Sequence, residues 1–141
     1  MTLRLTAAVR DAIVAHARDE YPKEACGIIA GQRGIGTRVF RMRNADASPI
    51  SYTMDPTEQL HVMKQMRAEA LEMLAIYHSH TATPAYPSPT DARLATYPDV
   101  AYVLISLQDQ GRPDVKSFRI VDGSISAEAL QVSEHAGASH G

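Results

Sequence analysis

The stretch YHSHTATPAYPSPTDARLA (residues 77–95) limits the possible folds of this chain more than any other part of its sequence. His78 and His80 end the apolar run LAIYHSH, which predicts a strand. Alternate residues of a strand point to the same face, so both imidazoles leave together, with their Cα atoms about 6.6 Å apart. A proline-rich turn follows, and Ser88 then opens a short helix with Asp91 in its first turn. The stretch therefore predicts a stiff strand–turn–helix segment that carries polar side chains back to one place.

Three of these side chains have the chemistry of metal ligands. Two imidazoles, His78 and His80, can share one ion with Zn–N bonds of about 2.0–2.1 Å, and the Asp91 carboxylate supplies a third ligand. Three protein ligands leave one position open, which is typical of catalytic zinc. Taken separately, SPTD is also a capping box that needs no metal, and an H-x-H pair on a strand is often incidental. Together the two patterns favour a metal site, whereas Ser79 points to the opposite face.

The remaining sequence predicts strands and helices in the order αβββαβαβββ. Thr6 caps a predicted helix over residues 6–20, and a second helix begins at Asp55, with Pro56 in its first turn. Short apolar or alternating runs predict strands at residues 24–31, 37–44, 51–54, 74–80, 101–107, 115–122 and 125–132. This order predicts an α/β fold of the α+β sandwich type, in which helices flank a mixed, mostly antiparallel sheet.

Length and composition narrow the class of protein. At 141 residues the chain fits one domain, predicted over residues 1–132, with a polar tail at 133–141 that we expect to be disordered. A net charge of −2 argues against nucleic-acid binding. No apolar run approaches the 18 or so residues of a membrane span, and the charged amino terminus lacks a signal-peptide pattern. We therefore expect a cytoplasmic protein without a membrane partner, for which a homodimer is allowed but not required.

Three quoted motifs together resemble one known family. YPKEACGIIAG (residues 21–31), HSH and SPTD are similar to the JAMM, or MPN+, metallopeptidases of the JAB1/Mov34 superfamily. The family signature is a distant glutamate, then H-[ST]-H, seven residues and S-x-x-D. Here it is complete, with Glu24 as the glutamate, residues 81–87 as the spacer and Ser88 opening the last motif. The resemblance covers roughly residues 3–132 and implies a cytidine-deaminase-like JAB/MPN fold.

The same resemblance implies a role for each motif residue. His78, His80 and Asp91 would bind Zn²⁺. Glu24 would act as general base and then as general acid to the leaving amine, a role that the spacing alone does not assign. Ser88 would donate a hydrogen bond to the oxyanion, while its oxygen still accepts one from the helix backbone.

Other residues with ligand chemistry are predicted to lie apart from the site. His16 and His61 fall on predicted helices, at the surface or its boundary, and His135 and His140 fall in the tail. Cys26 shares a strand face with the glutamate of the signature. We predict that it is a small buried hydrophobic residue, and its influence on the site stays open.

The substrate follows from a narrower resemblance. In length and in its motifs the chain looks most like the stand-alone bacterial CysO-cysteine peptidases, which implies release of cysteine, or of a short extension, from the C-terminal tail of a ubiquitin-like sulfur-carrier protein. An extended tail would pair with a groove at residues 50–54 and 81–87.

Four alternatives remain open within or beside this superfamily. The chain could be a deubiquitinase-like isopeptidase, a RadC-like protein, or a phage-tail or cell-wall JAB peptidase. The non-enzyme alternative is an MPN scaffold. Such scaffolds have usually lost a metal ligand, whereas this chain retains every residue of the signature.

Overall fold

The computed structural model describes residues 2–134 of the chain. Its helices and strands follow in the order β1 (Thr2–Thr6), α1 (Ala7–Glu20), β2 (Cys26–Gln32), β3 (Ile35–Met42), α2 (Pro56–Ala68), β4 (Glu72–His80), α3 (Pro89–Leu94), β5 (Ala101–Ser106), β6 (Asp114–Val121) and β7 (Ser124–Ser133). Strand β7 includes Ser133, one residue beyond the predicted domain end. Residues 135–141, with most of the predicted tail and the histidines at 135 and 140, lie outside the described residues.

The seven strands form one sheet that closes on itself in the order β1-β3-β2-β4-β5-β6-β7. Four neighbouring pairs are antiparallel, and β1–β3, β1–β7 and β4–β5 are parallel. The predicted mixed, mostly antiparallel sheet is thus confirmed, while the likeness to a cytidine deaminase stays a prediction. Closure depends on β1, which the sequence did not predict because only two of its five residues, Leu3 and Leu5, are apolar.

The helices lie on both faces of the sheet, as predicted. Thr6 caps α1, its Oγ1 accepting from the Val9 backbone 3.2 Å away, and Asp55 caps α2. Helix α1 packs its apolar side against one face, where Ala75 and Tyr77 of β4 join the core. Helices α2 and α3 contribute to the clusters on the opposite face. Alternate side chains of β4 therefore point either to the face covered by α1 or to the face covered by α2 and α3.

Four details differ from the sequence predictions. Residues 51–54 are not a strand, since only Met54 forms an isolated bridge, with Asn44. Strand β2 starts at Cys26 rather than at residue 24. Helix α3 ends at Leu94, whereas SPTDARLATYP (residues 88–98) predicts a helix up to Pro98, because the chain turns extended at residue 95. His16 is buried rather than at the surface or its boundary. Within residues 2–134, no helix combines the length and hydropathy needed to cross a membrane.

Candidate metal centre and active site

The pairing of β2 with β4 brings the distant glutamate to the histidines. Cys26 lies opposite His78 in the antiparallel register. The pairing continues one residue further, because Ser79 N–H donates to Ala25 O over 3.0 Å and Ala25 N–H donates to Ser79 Oγ over 2.8 Å. One more step of this register sets Glu24 opposite His80. Glu24 therefore leaves from the same face as both imidazoles.

The predicted metal ligands come together at the end of β4. Asp91 Oδ2 lies 3.1 Å from His78 Nε2 and 2.9 Å from His80 Nε2. One ligand atom from each of these residues lies within 4.8 Å of the other two. Both histidines are buried, and Asp91 is nearly so. The proline-rich turn thus returns the carboxylate to the two imidazoles, as the sequence predicted.

The hydrogen bonding of the centre fits a bound cation. Neither nitrogen of His78 has a hydrogen bond of proper geometry to the described residues, and Glu24 Oε1 also lacks one. An unpaired buried polar atom costs about 1–3 kcal/mol, so such atoms call for a partner. Both Nε2 atoms face Asp91 Oδ2, but only that of His80 has hydrogen-bond geometry, and His80 Nδ1 also lies 3.0 Å from the Pro84 carbonyl. Two nitrogens and one carboxylate, with a second contact orienting one ring, form a donor set that suits Zn²⁺.

Asp91, a predicted metal ligand, also belongs to the capping box of α3. Ser88 Oγ accepts from the Asp91 backbone over 3.0 Å, and Asp91 Oδ2 accepts from the Ser88 backbone over 2.8 Å. The predicted capping box is therefore confirmed, and it holds the Asp91 carboxylate beside the two imidazoles. Because the Ser88 hydroxyl accepts here, its own proton can point outward. The two interpretations of SPTD are compatible.

Charge at the centre is shaped by burial and by close contacts. Burial alone would raise the pKa of Asp91, but the two imidazoles beside it lower that pKa well below its usual range. Burial lowers the pKa of His78, which favours the neutral, metal-binding form. Burial raises the pKa of Glu24 to about 8, against the opposing charge of His80. A carboxyl that titrates near neutral pH is well matched to general base and acid catalysis.

Comparison with known families identifies the fold around this centre. Residues 6–121 match the family model described as prokaryotic homologs of the JAB domain. The chain belongs to this JAB family. The resemblance drawn from the sequence motifs is thereby confirmed.

Two curated relatives and one solved structure cover most of this JAB domain. The CysO-cysteine peptidase of Mycobacterium tuberculosis is 48% identical over 126 residues, which is 88% of this chain and 86% of that protein. The probable TtuB-protein conjugate cleaving protease of Thermus thermophilus is 39% identical over 110 residues, or 77% and 70% of the two chains. The solution structure of DSY2949 from Desulfitobacterium hafniense is 39% identical, with a TM-score of 0.89 and coverage of 100% and 99%. The chain is a peptidase of the JAMM type, which leaves the scaffold alternative without support.

Three residues that the sequence did not single out surround the centre. Tyr52 stacks on the His78 ring, Asn44 hydrogen-bonds the backbone of Glu24, and Pro84 orients His80. No local pattern marks them, because each acts on a partner distant in sequence or through a backbone atom.

A cavity of about 370 Å³ opens beside Asp91. Residues 51–54 line it, together with residues of the segment 90–97, whereas none of residues 81–87 does. Its apolar lining consists of Tyr52, Met54, Ile76, Leu94, Tyr97 and Tyr102. The groove at residues 50–54 and 81–87 stays a prediction.

Cys26 behaves as predicted, as a small buried hydrophobic residue. It packs in the α2 cluster, and burial raises the pKa of its thiol to about 12. His61 lies exposed on α2, also as predicted.

Proposed function

We propose that this JAB peptidase is zinc-dependent and hydrolyses an amide bond at the C-terminus of a ubiquitin-like sulfur carrier, releasing cysteine or a short extension. The observation that carries the proposal is the buried convergence of His78, His80 and Asp91 beside Glu24, with three polar atoms left unpaired. The substrate class is supported by the relatives named for CysO-cysteine and for TtuB conjugates. We keep the cytoplasm as the proposed compartment. The homodimer that the sequence allowed gains no support from these relatives.

His78, His80 and Asp91 are the proposed ligands of the zinc ion. When bound, zinc would polarise the scissile carbonyl and make a coordinated water more acidic. The neutral state of His78 and the ionised state of Asp91, both favoured by their surroundings, are the states that a divalent ion requires.

Glu24 is the proposed proton carrier. Its buried carboxyl would take a proton from the attacking water and deliver it to the departing amine. Both steps need a pKa near the working pH, and burial raises that of Glu24 toward this range. The register of β2 against β4, with the hydrogen bond from Glu24 N–H to Ser48 O, supports this role, because it sets the Glu24 backbone beside His80.

Ser88 is the proposed oxyanion donor. Its oxygen is fixed by the Asp91 backbone N–H, which directs the hydroxyl without using its proton. A well-aimed donor of this kind typically contributes about 3 kcal/mol to the transition state. The carrier's extended tail would lie along residues 51–54, which line the cavity beside Asp91.

The decisive experiment is intact-mass analysis of a ubiquitin-like sulfur carrier that bears one additional C-terminal cysteine. The carrier is incubated with zinc-loaded protein and, separately, with Glu24→Gln. We expect loss of one cysteine residue with the first protein only. Retention of the cysteine with both proteins, despite bound zinc, would contradict the proposed substrate.

An isopeptidase is the second candidate, and the Thermus relative named for TtuB conjugates favours it. The discriminating substrate is the same carrier joined through its terminal carboxyl to a lysine side chain of a second protein. Faster cleavage of this conjugate than of the cysteine extension would make isopeptide hydrolysis the main activity.

A further inference from the structure

The two histidines of the metal centre are held in place by different means. His80 is oriented by the Pro84 carbonyl, 3.0 Å from its Nδ1. His78 has no such contact, because neither of its nitrogens is hydrogen-bonded to the described residues. Its ring instead stacks on Tyr52, with centroids 4.4 Å apart and planes inclined by 23°. The Tyr52 ring therefore contacts His78 on its face, whereas the Pro84 carbonyl contacts His80 at a ring nitrogen.

Tyr52 lies in an irregular segment, yet its backbone is held on both sides. The Asn44 side chain donates from Nδ2 to Ser51 O over 2.9 Å. Its Oδ1 accepts from Thr53 N–H over 3.1 Å. A second contact reinforces this arrangement, since Ala45 N–H donates to Thr53 O over 2.7 Å. The buried side-chain amide of Asn44 thus bonds the backbone on both sides of Tyr52 and fixes the direction in which the Tyr52 ring points.

The same amide also reaches the proposed general base. Asn44 Nδ2 donates to Glu24 O over 3.1 Å, and Glu24 N–H donates to Ser48 O over 2.8 Å. Residues 44–54 therefore contact both the backbone of Glu24 and, through the Tyr52 ring, His78. Asn44 is 7% exposed. Its Nδ2 donates two hydrogen bonds and its Oδ1 accepts two, all within the protein.

We propose that Tyr52 is a positioning residue that orients His78 for the metal by stacking, and that Asn44 fixes Tyr52 in this position. The inference rests on the proposed ligand set. An imidazole whose nitrogens are not fixed by hydrogen bonds is oriented only by the groups packed against it, and any rotation that remains is lost as entropy when the ring binds an ion. Partners that orient a metal ligand typically contribute 10- to 100-fold to metal affinity. A flat ring at 4.4 Å can restrain rotation without occupying either nitrogen.

A different role for Tyr52 would follow from its place in the cavity beside Asp91. If it only contacts the substrate, its removal raises KM and leaves metal affinity unchanged. Zinc affinity measured without substrate separates the two roles.

The test is the zinc affinity of the full chain, measured by competition with a chromophoric chelator. The proteins are the wild type, Tyr52→Phe, Tyr52→Leu and Asn44→Ala, with His78→Leu as the baseline for a lost ligand. We expect Tyr52→Phe to match the wild type, because the stacking needs the ring and not the hydroxyl. Tyr52→Leu should bind zinc about tenfold more weakly. Asn44→Ala should also weaken binding, with little further loss when combined with Tyr52→Leu.

Each remaining outcome is decisive. Wild-type zinc affinity in a folded Tyr52→Leu protein overturns the positioning role, and a raised KM would then assign Tyr52 to substrate contact. Additive losses from Asn44→Ala and Tyr52→Leu overturn the role of Asn44. Equal weak binding by the wild type and His78→Leu refutes the ligand set, and with it both proposals. Tyr52→Met serves as a second ringless variant, and circular dichroism of the metal-free proteins verifies folding.

Discussion

Two buried histidines lie on opposite sides of β4, and only one of them belongs to the proposed metal centre. His16, on α1, meets Tyr77 on one face of the strand, which we call the core face. Its Nδ1 lies 2.6 Å from the Tyr77 hydroxyl. His78 points to the other face, which we call the site face, and neither of its nitrogens has a hydrogen bond of proper geometry to the described residues. Both rings are almost fully buried.

The difference between these histidines shows which observation marks a functional residue. Burial lowers the pKa of both, to about 4 for His16, so a lowered pKa does not separate them. Hydrogen bonding does, because His16 Nδ1 pairs with the Tyr77 hydroxyl, whereas His78 contacts Asp91, itself a proposed metal ligand, without a hydrogen bond of proper geometry among the described residues. Unpaired buried nitrogens are unfavourable unless something else satisfies them. The core face therefore has its polar atoms paired within the fold, whereas the site face has polar atoms available for the proposed metal ion.

The largest expected effect comes from removing a site-face ligand. His78→Leu should lower the peptidase rate about 10⁴-fold, because the several kcal/mol that a catalytic metal contributes are lost. The free energy of unfolding of the metal-free protein should change by less than about 1 kcal/mol, since an unpaired imidazole is replaced by an apolar group. Chemical denaturation in a chelator and carrier cleavage measure the two quantities. A destabilisation beyond about 2 kcal/mol would show that His78 is a structural residue like His16.

A smaller effect is expected at the proposed general base. Glu24→Gln should lower kcat about 10³-fold while zinc affinity stays within a few-fold of the wild type, because the amide keeps the shape but cannot carry a proton. Rapid kinetics and chelator competition measure this. Ser88→Ala is the comparison variant, and its kcat should fall by a smaller factor of about 10². An unaltered kcat would remove Glu24 from the chemistry.

On the core face, a substitution that disturbs close packing should lower the stability of the fold without removing a residue of the proposed active site. Gly27→Ala would place a Cβ 2.4 Å from the Tyr77 ring and 2.5 Å from Phe40 O. Overpacking of this kind should lower the free energy of unfolding by about 3 kcal/mol. Gly111→Ala is the control, because its Cβ would meet only ordinary contact at 3.5 Å. Equal melting temperatures for the two variants would contradict the packing argument.

The smallest effect should be a pH-dependent loss at His16. His16→Leu leaves the Tyr77 hydroxyl without its partner, which should lower the free energy of unfolding by about 2 kcal/mol at pH 7.5. The folded-state pKa of His16 is about 4, below the ordinary 6.5, so the wild type loses stability as the pH falls through this window. The gap between wild type and variant should therefore narrow by about 1 kcal/mol at pH 5.5.

Denaturation curves at the two pH values test this narrowing. Tyr77→Phe in the same background removes the second partner and should recover part of the loss. A gap that widens at the lower pH would mean that His16 is protonated in the folded protein.

The predictions from sequence succeeded where the structure follows from short stretches of chain. Strand alternation placed His78 and His80 on one face, and the S-x-x-D cap fixed the first turn of α3. They failed where a partner distant in sequence decides. His16 was expected at the surface or its boundary, because helical spacing alone does not reveal that Tyr77 lies behind it. Residues 51–54 were expected to form a strand, because nothing local shows that the Asn44 side chain bonds their backbone instead.

The sequence by itself determined the proposed ligand set, the capping box that carries Asp91 and, through its motifs, the family. The tertiary structure decided how Glu24 meets this set, since the register of β2 against β4 joins residues more than fifty positions apart. It also decided that β1 closes the sheet and that Tyr52 rests on His78. Ligand spacing along one strand and turn is fixed by local backbone geometry, whereas register, closure and stacking depend on the packing of the whole core.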